Sequence, residues 1–119
     1  MENAFSADEK EKMSELLKRI YTIIYGRAER YDWKILVDTL NDLYDGYADR
    51  LRAAAPQLKE KEYQICCLSK SGLSNSEIAS LLDNTENAIE LQKTNIRTIL
   101  KLQKQTSFIK ELDKLVQNF

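Results

Sequence analysis

Two helix-start signals that lie close together constrain this chain most. Ser74 is followed three residues later by Glu77, the spacing of a capping box, in which hydroxyl and carboxylate each accept an amide N–H at the helix start. The helix that begins there, at about 75–82, is short, because the Asp-Asn pair at 83–84 is typical of a turn and Thr85 caps a second, much longer helix. A helix that short is unstable alone and must pack on its neighbour. The stretch therefore predicts a helix-turn-helix.

The two helices of this motif are predicted to cross at Ala79. A small side chain at the crossing lets two helices approach closely, and apolar residues at helical spacing fill the seam. The predicted seam consists of Ile78, Leu82, Ile89 and Ile96.

The rest of the chain also predicts helices. It has 119 residues, one proline and three glycines, and its apolar residues recur at helical spacing. We therefore expect an all-α, multi-helix fold in three segments: an N-terminal amphipathic helix at 1–31, a helical connector at 32–57, and a C-terminal helix-turn-helix domain without a wing at 58–119. Predicted boundaries are caps at Ser6 and Asp32, breaks at Gly46, Pro56 and Gly72, a start near Glu60, an interruption or end of the long helix at Thr106-Ser107, and a last helix from Phe108.

The first predicted helix carries a broad apolar stripe. Its members are Met13, Leu16, Leu17, Ile20, Ile23 and Ile24. Such a stripe either docks on its own domain or pairs with a second copy of the chain in a homodimer. Both alternatives remain open from the sequence.

Composition argues against several functional classes. Histidine is absent, which removes the commonest general base and metal ligand. The adjacent Cys66 and Cys67 fit core packing in a reducing cytoplasm, and Asp38, Asp42, Asp45 and Asp49 fit an exposed acidic face because no calcium loop surrounds them. No nucleophile–base pair or phosphate-binding glycine loop occurs, so we expect no enzyme, cofactor or metal. Apolar runs are too short to span a membrane, and the largely polar first twelve residues do not fit a secretory signal.

Positive charge is concentrated on the long helix and just beyond it. The net charge is −1, yet residues 91–110 hold five basic side chains and no acidic one. Four of these cations recur at helical spacing on one predicted ridge: Lys93, Arg97, Lys101 and Lys104. Such a ridge suits a row of phosphates, and it could equally be an ordinary solvated helix face. Ser74 or Asn75 at a helix N-terminus could add a phosphate contact.

One set of residues carries a resemblance to a known family. The set is Leu58, Glu62, Ile65, Leu68, Gly72, Ser74-Asn-Ser-Glu77-Ile-Ala79, Ile89, Ile96 and Leu100. In relative spacing it resembles the LuxR/GerE-type helix-turn-helix of bacterial transcription regulators, and the wider run is similar to the C-terminal effector region of bacterial sensor-regulators. The resemblance implies binding to double-stranded DNA, with the helix from Glu86 in the major groove and dimers reading paired half-sites.

The chain departs from the family pattern on the DNA-reading surface. The family usually begins the motif Leu-Thr-Pro, whereas Leu58 is followed here by Lys59 and Glu60. Two usually basic positions of the recognition helix fall on Glu90 and Thr94, and a third falls on Thr98 or Ile99. By the same resemblance, Leu91 takes a place where an aliphatic side chain can touch a thymine methyl group. At about 100° per residue, the side of the long helix nearly opposite Ile89 and Ile96 is predicted to carry Asn87, Leu91, Thr94 and Thr98.

Two hypotheses follow. The first is a DNA-binding transcriptional regulator, or its effector region, that contacts phosphates through Lys93, Arg97, Lys101 and Lys104. The second is a degenerate helix-turn-helix kept as a protein interaction or dimerisation module, which uses the first helix and Leu91.

Overall fold

The computed structural model describes residues 30–103 and 105–118, which form six α-helices and no strand. The helices are α1 (Arg30–Leu43), α2 (Tyr47–Ala54), α3 (Glu60–Lys70), α4 (Asn75–Leu81), α5 (Glu86–Leu100) and α6 (Phe108–Gln117). The predicted all-α class is confirmed for these residues. The apolar stripe of the first predicted helix, and any homodimer contact through it, lies outside the described residues.

The boundary predicted at Asp32 is wrong. Helix α1 already includes Arg30 and runs without interruption to Leu43, so Asp32 lies inside it rather than capping it. No glycine or proline occurs between these two ends, and nothing in the sequence forces the helix to begin at an Asp. The predicted break at Gly46 is confirmed, because Gly46 has the left-handed backbone (φ 76°) that glycine tolerates best.

Helix α3 lies at the centre of the domain. It contacts α1, α4, α5 and α6. Four consecutive residues of α3 are buried, each with at most 1% of its surface accessible to solvent: Ile65, Cys66, Cys67 and Leu68. Four consecutive residues cover most of the circumference of a helix, so this turn of α3 is buried all round and four helices pack against it, whereas Glu60 and Lys61 at the start of α3 are exposed.

The connection between α3 and α4 follows the predicted pattern. Gly72 ends α3 with a left-handed backbone (φ 97°), and the Leu73 N–H donates to the Leu68 carbonyl at 3.3 Å. At Ser74 the hydroxyl accepts the Glu77 N–H at 3.2 Å, and a Glu77 carboxylate oxygen accepts the Ser74 N–H at 2.8 Å. The predicted capping box is therefore confirmed.

The cysteines and the acidic residues behave as expected from the sequence. Cys66 and Cys67 are free thiols in the core, and burial raises the pKa of both, to about 12 for Cys67. Their burial in the core confirms the predicted packing. The side chains of Asp38, Asp42, Asp45 and Asp49 are exposed.

No helix in the described ranges combines the length and the apolar character needed to cross a membrane.

Substitution at the α4–α5 contact should destabilise the domain. Ala79 is only 4% exposed, and α4 and α5 pack against each other. We expect Ala79→Leu to force the helices apart and to lower the free energy of unfolding by about 1–3 kcal/mol, as overpacking generally does. Urea unfolding measures this, with Ser80→Leu as the control because Ser80 is the exposed neighbour on the same helix. Equal stability of the two variants would contradict a close approach at Ala79.

Candidate nucleic-acid interface

Helix α5 is fixed at its start and along one side. The Thr85 hydroxyl accepts the Ala88 N–H at 3.1 Å, which confirms the predicted cap. Ile89 and Ile96 are completely buried. Because these two anchors lie on nearly the same side of the helix, the opposite side faces away from the core along the whole length of α5.

The outward side of α5 contains the residues predicted to face DNA bases. Asn87, Glu90, Leu91 and Thr94 are all exposed, and at about 100° per residue they fall within roughly 100° of one another. Leu91 is 62% exposed, which is unusual for a large apolar side chain. We call these four residues, together with Thr98, the outer face of α5.

Hydrogen bonding makes this outer face rich in acceptors. The Thr94 hydroxyl donates to the Glu90 carbonyl at 3.1 Å, and the Thr98 hydroxyl donates to the Thr94 carbonyl at 3.1 Å. Each threonine proton is therefore used within the helix, while the hydroxyl oxygen keeps lone pairs. With the Glu90 carboxylate beside them, these oxygens favour donors on a ligand, such as the amino groups of cytosine and adenine in the major groove.

The basic side chains do not form the single ridge that the sequence predicts. Helix α5 ends at Leu100, so the interruption or end predicted at Thr106-Ser107 is wrong. The following residue, Lys101, has a left-handed backbone (φ 57°, ψ 41°). The Leu102 N–H donates to the Arg97 carbonyl at 2.8 Å, so the chain turns away from the helix axis here. Lys101 is exposed but lies off the helical row, which corrects the predicted spacing; Lys104 lies outside the described residues.

Lys93 and Arg97 contact the C-terminal helix. The Lys93 Nζ lies 5.2 Å from the centre of the Phe108 ring, and the Arg97 guanidinium carbon lies 5.4 Å from it. An Arg97 Nη2 also donates to the Thr106 carbonyl at 3.3 Å. Burial, followed by the nearby Arg97 charge, lowers the pKa of Lys93 from its ordinary value. Both cations are therefore partly withdrawn from solvent.

The two predicted contacts on α4 are placed differently from each other. Ser74 is exposed, and its hydroxyl accepts the Glu77 N–H. Asn75 is half-buried, and its side-chain oxygen is buried without a hydrogen-bond partner in the described part of the chain. Ser74 is thus accessible to a ligand, whereas Asn75 presents less of its amide.

In comparisons with known proteins, no family model, no curated protein and no solved structure matches this chain. The geometry and the sequence pattern therefore carry the functional argument.

Sequence reasoning missed Phe108 and Thr106 as neighbours of the α5 cations. The last helix was predicted to start at Phe108, and Phe108 is buried, with 6% exposure. Its contact with Lys93 and Arg97 depends on the direction in which the chain returns after Leu100. No local sequence signal reports that direction.

Acid should weaken the connection between α5 and α6 through Glu111. Burial raises the pKa of this carboxyl, but hydrogen bonds from the Gln103 N–H and from Thr106, with the charge of Lys114, outweigh it, so the net pKa is lowered. A lowered folded-state pKa gives stability that is present above the unfolded pKa of about 4.3 and is lost as pH falls through the folded pKa.

We therefore expect Glu111→Gln to destabilise the domain near neutral pH and to differ progressively less from the parent below about pH 4. Urea unfolding at a series of pH values measures the difference. An offset that is equal at every pH would contradict the assignment.

Proposed function

We propose that this chain is a DNA-binding transcriptional regulator, or the effector region of one, that places α5 in the major groove of double-stranded DNA. The observation that carries the proposal is the outer face of α5, which stays exposed along the helix while Ile89 and Ile96 anchor the opposite side. The short capped α4 packs against α5 beside it, as the second helix of a helix-turn-helix requires.

The dimensions of α5 suit this role. Its 15 residues span about 22 Å at 1.5 Å per residue, and the major groove, about 12 Å wide, admits an α-helix. In this proposal Asn87, Glu90, Leu91 and Thr94 approach base edges. Leu91 contacts a thymine methyl group, and Glu90 accepts a hydrogen bond from the amino group of cytosine.

Phosphate contacts position the helix in the groove. Lys101 is exposed at the end of α5 and supplies the first of them. Lys93 and Arg97 make phosphate contacts when their side chains move off the Phe108 ring. The remaining proposed phosphate contacts are Ser74, Asn75 and Lys104. Pairing of two copies through the N-terminal helix would give the two half-site contacts that such regulators use. The reduced, buried Cys66 and Cys67 fit action in the cytoplasm.

A second function is favoured by a specific feature of the same surface. Leu91 is 62% exposed and follows the acidic Glu90 in the sequence. The cations of the same helix, Lys93 and Arg97, contact the Phe108 ring. An apolar side chain in an uncharged or acidic setting suits a protein partner better than a polyanion. In this alternative the helix pair is an interaction module that has lost DNA binding.

Lys101→Ala tests the phosphate contact. We expect weaker binding to all duplexes alike and a salt dependence shallower by about one unit in the slope of log K against log salt. Fluorescence anisotropy with a random-sequence duplex at several salt concentrations measures both. Lys110→Ala is the control, since Lys110 is exposed on α6 rather than at the end of α5. Lost discrimination between sequences with an unchanged slope would mean that Lys101 reads bases.

Glu90→Lys separates the two functions. A carboxylate in the groove is repelled by phosphates on both walls within a Debye length of about 8 Å, yet it can accept a hydrogen bond from cytosine. If the chain is a regulator, the substitution should raise affinity for random duplex and blur the preferred sequence. If it is an interaction module, no preferred sequence exists to be lost.

Selection of bound duplexes from a random pool measures the outcome for both proteins. Glu86→Lys is the matched control, because this substitution makes the same charge change in the first turn of α5, at an exposed position beside the outer face. No enriched motif with the parent chain would rule out the regulator and leave the interaction module.

A further inference from the structure

Helix α6 begins against the flank of α5. Phe108 is the first residue of α6 and is buried, and the Ser107 hydroxyl before it accepts the Lys110 N–H at 3.4 Å. The ring of Phe108 therefore has a fixed place at a capped helix start. Lys93 and Arg97, one turn apart on α5, both approach this ring.

Two like charges share this one aromatic ring. Lys93 and Arg97 are one helical turn apart, and burial together with the nearby charge of Arg97 lowers the pKa of Lys93. The Arg97 Nε is buried without a hydrogen-bond partner in the described ranges, while Nη2 donates to the Thr106 carbonyl. Arg97 thus loses water around part of its guanidinium, and the ring and one carbonyl replace it.

The rest of α6 is bonded to α2 and α3. Lys70 of α3 forms an ion pair with Asp113 at 3.0 Å, and an Arg50 Nη2 of α2 donates to the Val116 carbonyl at 3.1 Å. Between α5 and α6, the Gln103 N–H donates to a Glu111 carboxylate oxygen at 3.4 Å. These bonds hold α6 in the position that places Phe108 on the two cations.

We propose that α6 is a built-in brake on DNA binding, in which Phe108 holds Lys93 and Arg97 back from the phosphates beside the outer face of α5. The inference rests on the proposed function and concerns the regulation of the same site. In the docked state Lys101 is the cation available at the end of α5; displacement of Phe108 adds Lys93 and Arg97. Each added phosphate contact releases counterions, so undocking raises affinity most strongly at low salt.

Phe108→Leu tests the brake, and Phe108→Tyr is its matched control. Leu keeps an apolar side chain but removes the ring that attracts cations, whereas Tyr keeps the ring. With the full chain and a random-sequence duplex, we expect Phe108→Leu to bind more tightly and its salt slope to steepen by nearly two units, at about 0.9 per phosphate contact. Phe108→Tyr should match the parent. Phe108→Met replaces the leucine variant if circular dichroism shows that the latter is unfolded.

A second readout does not involve DNA. Because the Arg97 Nε is buried, its hydrogen should exchange slowly with solvent in the parent, and NMR should show faster exchange in Phe108→Leu but not in Phe108→Tyr. Arg52 on α2 is the internal reference, since it lies away from Phe108 and contacts Tyr63 instead.

The combined outcomes separate this inference from the function on which it rests. Faster Arg97 exchange with tighter, more salt-dependent binding supports the brake. Faster exchange with unchanged binding, in a parent that binds DNA, overturns it, and so does unchanged exchange with unchanged binding. If the Arg97 hydrogen exchanges faster in Phe108→Leu but no variant binds duplex, the contact between Phe108 and the cations stands and the DNA-binding function is overturned.

Discussion

Burial of the central turn of α3, residues 65–68, is the constraint on which the rest of the structure depends. Ile65, Cys66, Cys67 and Leu68 are at most 1% exposed, and four other helices contact α3. Each of these helices can bury only one stripe against it, so each keeps an outer side that is free of the core. The exposed outer face of α5 is a consequence of this arrangement. A site on that face can change without disturbing the centre.

Hydrogen bonds at the helix ends fix where α4 and α5 begin. Ser74 and Thr85 each accept a backbone N–H at a helix start, and the loop between the two helices is closed by the Asn84 N–H, which donates to the Ala79 carbonyl at 2.8 Å. The start of α3 retains half of such a cap despite Lys59, because a Glu62 carboxylate oxygen accepts the Lys59 N–H at 2.8 Å. The start of α3 thus has the carboxylate of a capping box at Glu62 but a lysine in place of a hydroxyl residue.

The parts of the fold that sequence predicts are those set by neighbouring residues. Caps, the left-handed Gly72 and the buried pair Ile89 and Ile96 all follow from local spacing and residue type. The start of α1 was misplaced because Asp32 resembles a cap in sequence and only the continued helix shows otherwise.

The end of α5 could not be predicted in the same way. A lysine has no preference for a left-handed backbone, so nothing local indicates that Lys101 turns the chain. The Leu102 N–H closes the turn by donating to the Arg97 carbonyl at 2.8 Å, and Leu102 packs against the core, which is a tertiary contact. The predicted ridge is interrupted for this reason, because the helix that was to align Lys93, Arg97 and Lys101 stops at Leu100.

The same separation of core and surface bears on the departures at Glu90 and Thr94. Both side chains are exposed, so the fold neither requires a basic residue there nor excludes one. The packing of the domain therefore does not determine which residues stand at these two positions. A lysine at either position would add to the field of Lys101 without a cost in packing, and the chain instead presents acceptors. Such a face reads donors well and holds polyanions weakly, so any affinity for DNA depends on the flanking cations, and two of these are the ones that Phe108 engages.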